Sequence, residues 1–455
     1  MATDPVDRIR AFDNMTRLAL DLPQALPRLA ALPPSPEAPY LTVSLDWRPL
    51  GSQPGRRTEP EPQRSEFQDK WAAAGTPRRP GRQFLENELP TTLKRFPEHS
   101  PARKSLREDA RRVMEFLDQE LDPAAHGVVI IACNHAGIFE AVPLDVPVAN
   151  EVSVGPIPSL LRLVQAAEDY PAYAVVVADQ RESVVWLFER QVWERSVSVE
   201  ADDYPRHQQQ GGWSQRRYQA RAGERIEHVA KAIAEETKRA FEDYEEGIDY
   251  LILAAAEPML SAVQAELHES VASRVIGQIQ LPANASVTQV LAEAQPLVEA
   301  AERKRELEAV QTVRDEVGAN GKGVAGPEAT LTALQTGQVL KLVMNDDFRS
   351  AGWADYSLSL FGTGLVPSQH PAGGDVANIV PTSLHDECIR LAIQQGAEIE
   401  IVRTMPPINS AELVNIPDAG QGPPRTEAAR LLDEIGGIGA VLRFALEQNR
   451  PTATM

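Results

Sequence analysis

Apolar positions along the chain switch between helical and alternating spacing, and the switches divide it into thirds. The opening third begins with helical spacing around Ile9–Leu20, then one extended run, Leu41–Trp47. From Arg48 to Arg82 the sequence is dense in Pro, Gly, Arg and Glu, which predicts an irregular excursion rather than packed structure. A helix is expected over about Ala102–Glu120, where Leu106, Val113, Phe116 and Leu117 fall near one face. Two apolar, β-branched runs, Val128–Cys133 and Gly137–Leu144, flank an Asn-His-Ala-Gly turn and read as a hairpin. Helical spacing returns at Pro158–Glu168. An α+β domain over residues 1–169 accounts for this pattern.

The middle third has a clearer rhythm. Tyr173–Asp179, Ser183–Glu189 and Val192–Glu200 read as consecutive strands with short turns. A polar loop, Ala201–Gln215, precedes a long amphipathic helix with Ile226, Val229, Ile233, Phe241 and Tyr244 on one face. Gly247 suits its C-terminal stop. A buried strand, Asp249–Ala256, follows, and Pro258 opens another helix. Three strands, helix, strand, helix is an α/β order that fits a ribonuclease-H-like domain over 170–317, closed by a charged helix at Val287–Val317. The glycine-rich Gly318–Gly326 is expected to be a linker. Residues 318–455 then predict a smaller α/β/α domain. Its expected parts are a helix at Pro327–Gln335, a strand at Val339–Met344, an irregular stretch, a helix at Ser383–Gly396, a strand at Glu398–Arg403, a helix at Thr426–Glu434 and a strand at Ala440–Phe444.

Composition adds exclusions. The 455 residues are 43% hydrophobic and 24% charged, as in globular proteins. No apolar run approaches the ~20 residues that span a bilayer, and Met1–Arg10 lacks a signal-peptide layout, so a cytoplasmic protein without membrane contact is expected. Cys133 and Cys388 are the only cysteines, and the eight histidines are scattered. Neither a disulfide framework nor a metal centre is expected, and no cofactor is called for. The formal charge of −20 argues against general affinity for nucleic acid. Against that background, Arg206–Arg225 carries five arginines, one histidine and one glutamate.

Three segments invite chemistry. Gly318–Gly326 fails the phosphate-loop pattern, since Gly321-Lys322 is followed by Gly323 and stands too close to Gly318. Asp179 and Asp249 sit at strand ends, where a metal-dependent RNA nuclease would place carboxylates, and where turn-forming aspartates are also common. The segment Tyr204–Arg221 sets Gly211-Gly212 in a glutamine-rich, arginine-flanked loop before the long helix. The paired glycines fit a strain-relieving turn with Ser214 or Gln215 as helix cap, and equally a functional loop.

That loop resembles the Gly-Gly-Gln loop of archaeal and eukaryotic class 1 peptide chain release factors. It is more similar still to the Gly-Gly loop of the related, Pelota-type peptidyl-tRNA hydrolases of ribosome quality control and their bacterial cousins. Glu434–Phe444 and Gly323–Met344 resemble the strand entry and the opening of that superfamily's third domain. The resemblance implies three domains, the last like kink-turn-binding ribosomal proteins and able to dock a translational GTPase. It implies binding in the ribosomal A site, against rRNA and peptidyl-tRNA, and ester hydrolysis through residues 208–217. Gly211, Gly212 and Gln215 would stand at the chemistry, and Arg206, His207, Trp213, Ser214, Arg216, Arg217, Tyr218 and Arg221 would contact RNA. Glycines allow close backbone approach, and a glutamine amide orients water without carrying charge. Trp213 stands where release factors have glutamine, and the first third has no Asn-Ile-Lys-Ser stop-codon motif. Rescue of stalled ribosomes is thus expected rather than codon-specific termination. A non-catalytic ribosome-binding hibernation factor is the alternative, and the nuclease the third reading.

Overall fold

A computed structural model describes residues 22–49, 79–168, 170–179, 182–189, 192–200, 214–244, 247–282, 284–405 and 424–445. The chain forms two compact units, one of residues 169–305 and the other of the segments before and after it. Among the described residues, no helix is long and apolar enough to cross a membrane.

The first segment contains α1 (Leu22–Ala30), β1 (Tyr40–Asp46), α2 (Pro80–Lys94), α3 (Pro101–Gln119), β2 (Gly127–Cys133), β3 (Ile138–Leu144), β4 (Glu151–Gly155) and α4 (Leu161–Glu168). Its four strands pair antiparallel in the order β3-β2-β1-β4. The expected hairpin is β2 and β3, with Asn134–Ala136 as a single 3-10 turn ended by Gly137 at φ +66°. Leu41, Val43, Leu45, Val128 and Ile130 on one face pack against Leu85, Leu89, Leu106 and Val113 of α2 and α3. Every residue of β2 is buried, which is why it reads as a continuous apolar run.

Two elements here depart from expectation. Helix α2 begins inside the Arg48–Arg82 stretch, at Pro80; its two prolines, at the start and at Pro90, hid the apolar pattern of Leu85, Leu89 and Leu93. The other end of the stretch is also ordered: Arg48 pairs with Asp46 at 2.7 Å, and Arg79 lies over the Trp47 ring at 5.0 Å. Strand β4 was missed because none of its residues is fully buried. The helical pattern of Ile9–Leu20 lies outside the described residues.

The middle unit runs β5 (Tyr173–Ala178), β6 (Glu182–Glu189), β7 (Val192–Glu200), α5 (Ser214–Asp243), β8 (Tyr250–Ala255), α6 (Met259–Glu266), α7 (Glu269–Ala272), β9 (Val275–Ile279) and the start of α8 (Val287–Gly318). The sheet order is β7-β6-β5-β8-β9. Strand β6 is antiparallel to both neighbours, while β5, β8 and β9 are parallel. This is the ribonuclease-H-like arrangement expected, with β9 the strand that sequence reading missed. Alternation on β5 sorts its faces. Val176 packs with Val229 and Ile233 of α5 and Val263 of α6. Tyr173, Val175 and Val177 pack with Val290, Ala294 and Val298 of α8.

Helix α8 continues past residue 305 and delivers Val310 and Val313 into the core of the last segment. There follow β10 (Gly323–Ala325), α9 (Pro327–Gln335), β11 (Val339–Asn345), β12 (Ala351–Asp355), β13 (Leu360–Thr363), β14 (Val380–Ser383), α10 (Leu384–Gln394), β15 (Glu398–Val402), α11 (Glu427–Asp433) and β16 (Ile438–Leu442). The sheet β10-β16-β11-β15 has α8 and α11 on one face and α9 and α10 on the other, the α/β/α unit expected. The linker is a packed turn: the amides of Gly321 and Lys322 donate to the Glu316 carbonyl and carboxylate, at 2.8 and 2.7 Å. A Cβ on Gly323 would stand 2.5 Å from the Val317 nitrogen.

The stretch expected to be irregular before α10 holds a second sheet, β13-β12-β14. Its strands are short and rich in Gly, Ala and Ser, so no apolar period marks them; Gly362 leaves room for the Trp353 ring on the paired strand. His370 contacts Asp355 within this part at 3.0 Å, both buried, and the Tyr356 hydroxyl donates at 3.3 Å to Glu387 of α10, which is itself paired with Arg390.

The segments before and after the middle unit meet within their own unit. The Gln394 amide donates to the Ala30 carbonyl at 2.7 Å, and the Ile401 amide donates to Glu168 at 3.0 Å. Beside them, His385 and Asp386 at the start of α10 are buried near Ser159, Glu151, Arg162 and Arg349. Burial raises the Asp386 carboxyl to about 6, against the hydrogen bonds from Ser159 and Ser383. Burial, with Arg349 and Arg162, lowers the His385 imidazole to about 4, against the opposing pull of Glu151.

Two predictions follow from these contacts. Gly323→Ala should lower stability by about 1–3 kcal/mol in urea unfolding, because backbone must move to admit the methyl group. The raised Asp386 carboxyl costs stability at neutral pH, and the cost fades as pH falls through 6; His385, neutral when folded, costs stability as pH falls from 6.5 toward 4. Asp386→Asn should therefore stabilise the protein at pH 7.5 by roughly 1–3 kcal/mol. The same variant should lose stability more steeply than wild type between pH 6.5 and 4, which thermal melts across that range would measure.

Candidate functional site

The expected loop joins β7, the edge strand of the middle sheet, to the N-terminus of α5. Arg206, His207, Gly211, Gly212 and Trp213 lie outside the described residues. Ser214, Gln215, Arg216, Arg217, Tyr218 and Arg221 fall in the first turns of α5, of which the backbone is described. The helix begins at Ser214, so Ser214 and Gln215 are inside it and the paired glycines stand immediately before it.

Helix length sets where that start lies. Thirty residues span about 45 Å, whereas the six residues of β5 span about 20 Å. The last turns of α5 are in the core, through Ala240, Phe241 and Tyr244. The excess length therefore falls toward the N-terminal end; among the positions whose burial is described, Gly223 onward, Val229 is the first that is fully buried. Arg216, Arg217 and Arg221 are in the first turns of this helix, and the paired glycines precede it in the sequence.

Register divides the residues of these turns. Positions 217 and 221 continue the stripe of Glu224, His228, Lys231 and Glu235, all exposed. Positions 215, 219 and 222 continue the opposite stripe, that of Ile226, Ile233, Thr237 and Ala240, which faces the core further along. Gln215 thus occupies a different face from Arg217 and Arg221. The first turn of α5 contains no acidic residue, although the positive end of a helix favours one, and it holds Arg216 and Arg217 instead. Arginines there run against the helix dipole, whose positive end favours an anion.

The carboxylates of the nuclease reading are not brought together. Strands β5 and β8 are parallel, with Tyr173 opposite Tyr250 and Ala178 opposite Ala255. Asp179 follows the end of β5 and Asp249 precedes the start of β8, so they stand at opposite edges, about 20 Å apart. Two-metal chemistry needs the metal ions ~4 Å apart. Asp249 has a local role: its backbone amide donates to the Ala172 carbonyl at 2.8 Å, and its carboxylate accepts from the Ala172 amide at 3.2 Å. Burial raises its pKa, opposed by that bond and by Arg305 and Arg274. Among the described residues, no group of three His, Cys, Asp or Glu side chains is arranged to hold a metal. Incubation of labelled RNA with the protein and Mg2+ or Mn2+ should give no cleavage that Asp179→Asn removes.

Residues 158–310 match the model of the bacterial archaeo-eukaryotic release factor family 10, and this span contains the loop and the whole of α5. Over this third the chain is similar to that family, as the loop resemblance implied. No curated protein matches the sequence. Similar solved structures include an archaeal translation termination factor, 15% identical, with 93% of this chain and 97% of that one covered and a TM-score of 0.24. The Archaeoglobus fulgidus Pelota is 14% identical, over 70% of this chain and 80% of that one, with a TM-score of 0.31. A translation termination-like factor of S. cerevisiae involved in RNA quality control is 11% identical, over 70% and 81%, with a TM-score of 0.35. Scores of this size place no residue of this chain on those structures.

Proposed function

We propose that this protein is a ribosome-associated translation factor that enters the A site and hydrolyses peptidyl-tRNA without reading a stop codon. The observation that carries this reading is the family match over 158–310, because the matched span encloses the Gly-Gly loop and the helix that follows it. The geometry of α5 supports it. Paired glycines ahead of a cationic helix start can enter an RNA-walled site. There Arg206, His207, Arg216, Arg217 and Arg221 meet phosphates, while Trp213, Ser214 and Tyr218 meet bases and sugars.

Water adds to the ester carbonyl carbon, and collapse of the tetrahedral adduct breaks the bond to the tRNA ribose. The ribose oxygen leaves with a proton, and the peptide is freed as a carboxylate. Gly211 and Gly212 admit the ester close to backbone amides that stabilise the oxyanion. Gln215 orients the water. No metal or small-molecule cofactor enters this scheme. The last segment would receive a translational GTPase.

Two observations favour a second reading, binding without hydrolysis, as in a hibernation factor. Trp213 stands in the glutamine position, and Gln215 shares the stripe that faces the core further along α5. Release of labelled peptide from ribosome–peptidyl-tRNA complexes separates the two. On the hydrolytic reading, Gly212→Ala and Gln215→Ala should each lower the release rate by about 100-fold or more while leaving ribosome binding within a few-fold. Tight binding by the wild type with no release would leave the non-catalytic reading.

A further inference from the structure

A basic feature among the described residues stands at the corner between α2 and α3. Residues 94–107 contain Lys94, Arg95, Arg103, Lys104 and Arg107, together with His99, against the single carboxylate of Glu98. The chain as a whole carries −20, so this corner is a sharp local reversal. Lys94, Arg95, His99, Lys104 and Arg107 are exposed. Lys94, Lys104 and Arg107 form no ion pair among the described residues, and Arg95 reaches Glu88 only at 3.7 Å.

Charge pairing along α3 sharpens the contrast. Arg111 is held by Glu108 and Glu115 at 3.0 and 2.5 Å, and Arg112 by Glu120 at 2.5 Å, so the later turns of the helix are neutralised. Its first turns are not. The corner is also held by local hydrogen bonds. The Ser100 hydroxyl accepts from the Arg103 amide at 3.2 Å, the Ser100 amide donates to Pro97 at 3.0 Å, and the Arg103 guanidinium donates to the Phe96 carbonyl at 3.3 Å. Leu85, Leu89, Leu106 and Val113 fix both helices to the sheet. Cations on a fixed frame give up little freedom on binding a regular array of phosphates.

We infer that the α2–α3 corner is a second RNA-docking surface, which grips the phosphate backbone of folded RNA through Lys94, Arg95, Lys104 and Arg107. The occupant is RNA rather than lipid or protein because the corner is charged without being apolar. The large exposed hydrophobic side chains among the described residues all lie at Leu340 or beyond, so nothing here inserts into a bilayer or fills a protein pocket. Unpaired cations in an acidic chain select a partner dense in negative charge, and their contacts carry no sequence preference. The inference rests on the proposed function only for the RNA being ribosomal.

The test uses the full chain, a fluorescent RNA stem-loop and anisotropy titrations over a range of potassium chloride concentrations. Lys104→Glu/Arg107→Glu, and the milder Lys94→Gln/Lys104→Gln, should weaken binding by about tenfold or more. Each cation removed should flatten the slope of log affinity against log salt by about 1. Arg217→Glu/Arg221→Glu should add a separate loss. Unchanged affinity and slope in both corner variants would overturn the inference, as would a wild type that ignores the stem-loop. Loss of binding to anionic phosphatidylserine vesicles with RNA binding intact would overturn it in favour of lipid. Absence of peptide release and of ribosome binding, with corner-dependent RNA binding retained, would instead count against the proposed function alone.

Discussion

A helix of thirty residues cannot be covered by strands of six to nine, and the architecture of the candidate site follows from that mismatch. The sheet buries the later half of α5, through Val229, Ile233 and Ala240. Burial of that apolar face stabilises the helix as a whole, since a helix gains most of its stability from packing along part of its length. The first turns share in that stability, although arginines stand there at a helix start that would favour carboxylates.

The rest of the middle unit holds α5 in place. Strand β5 is buried on both faces, with α5 and α6 on one and α8 on the other. Its hydrogen-bonding edges are also filled, by antiparallel β6 and parallel β8. Covered on all sides, it can shift its register by one residue only by exchanging Val175 and Val177 for Ala174 and Val176 across the sheet. The other unit is joined differently. Its two segments meet partly through buried polar groups, Asp386 and His385, whose desolvation opposes folding at different pH. Such contacts add little net stability and much orientation, since each needs its partners at fixed places.

Legibility in the sequence tracked burial. The elements read correctly, β2, β5 and β8 among them, are those whose side chains are buried on both faces or along one helical stripe, where apolar period and structure coincide. Strands β4, β9 and the β12–β14 sheet escaped because they are half-exposed or built from small residues. Their pairing comes from neighbours distant in the chain, as Gly352 with Thr382. Helix α2 escaped because its prolines mimic a loop. At the candidate site, composition marked the arginines, and a family resemblance, not periodicity, marked the glycines. The separation of Asp179 from Asp249 was invisible in one dimension. Both flank strands that are neighbours in the sheet, and only the parallel sense of the pair sends them to opposite edges.

Charge ties these features to function more firmly than any one residue does. A chain of −20 is repelled by RNA over most of its surface, so whatever contact it makes is confined to places where the sign reverses. Among the described residues, two such places are the start of α5 and the α2–α3 corner. Both include the beginning of a helix, where the backbone dipole adds to the side-chain charge, while Lys94 and Arg95 stand at the end of α2. A basic site on an acidic body restricts the orientations in which RNA binds, because the acidic remainder penalises other approaches. Orientation is what ester hydrolysis or site blocking requires, since either depends on bringing one loop to one place.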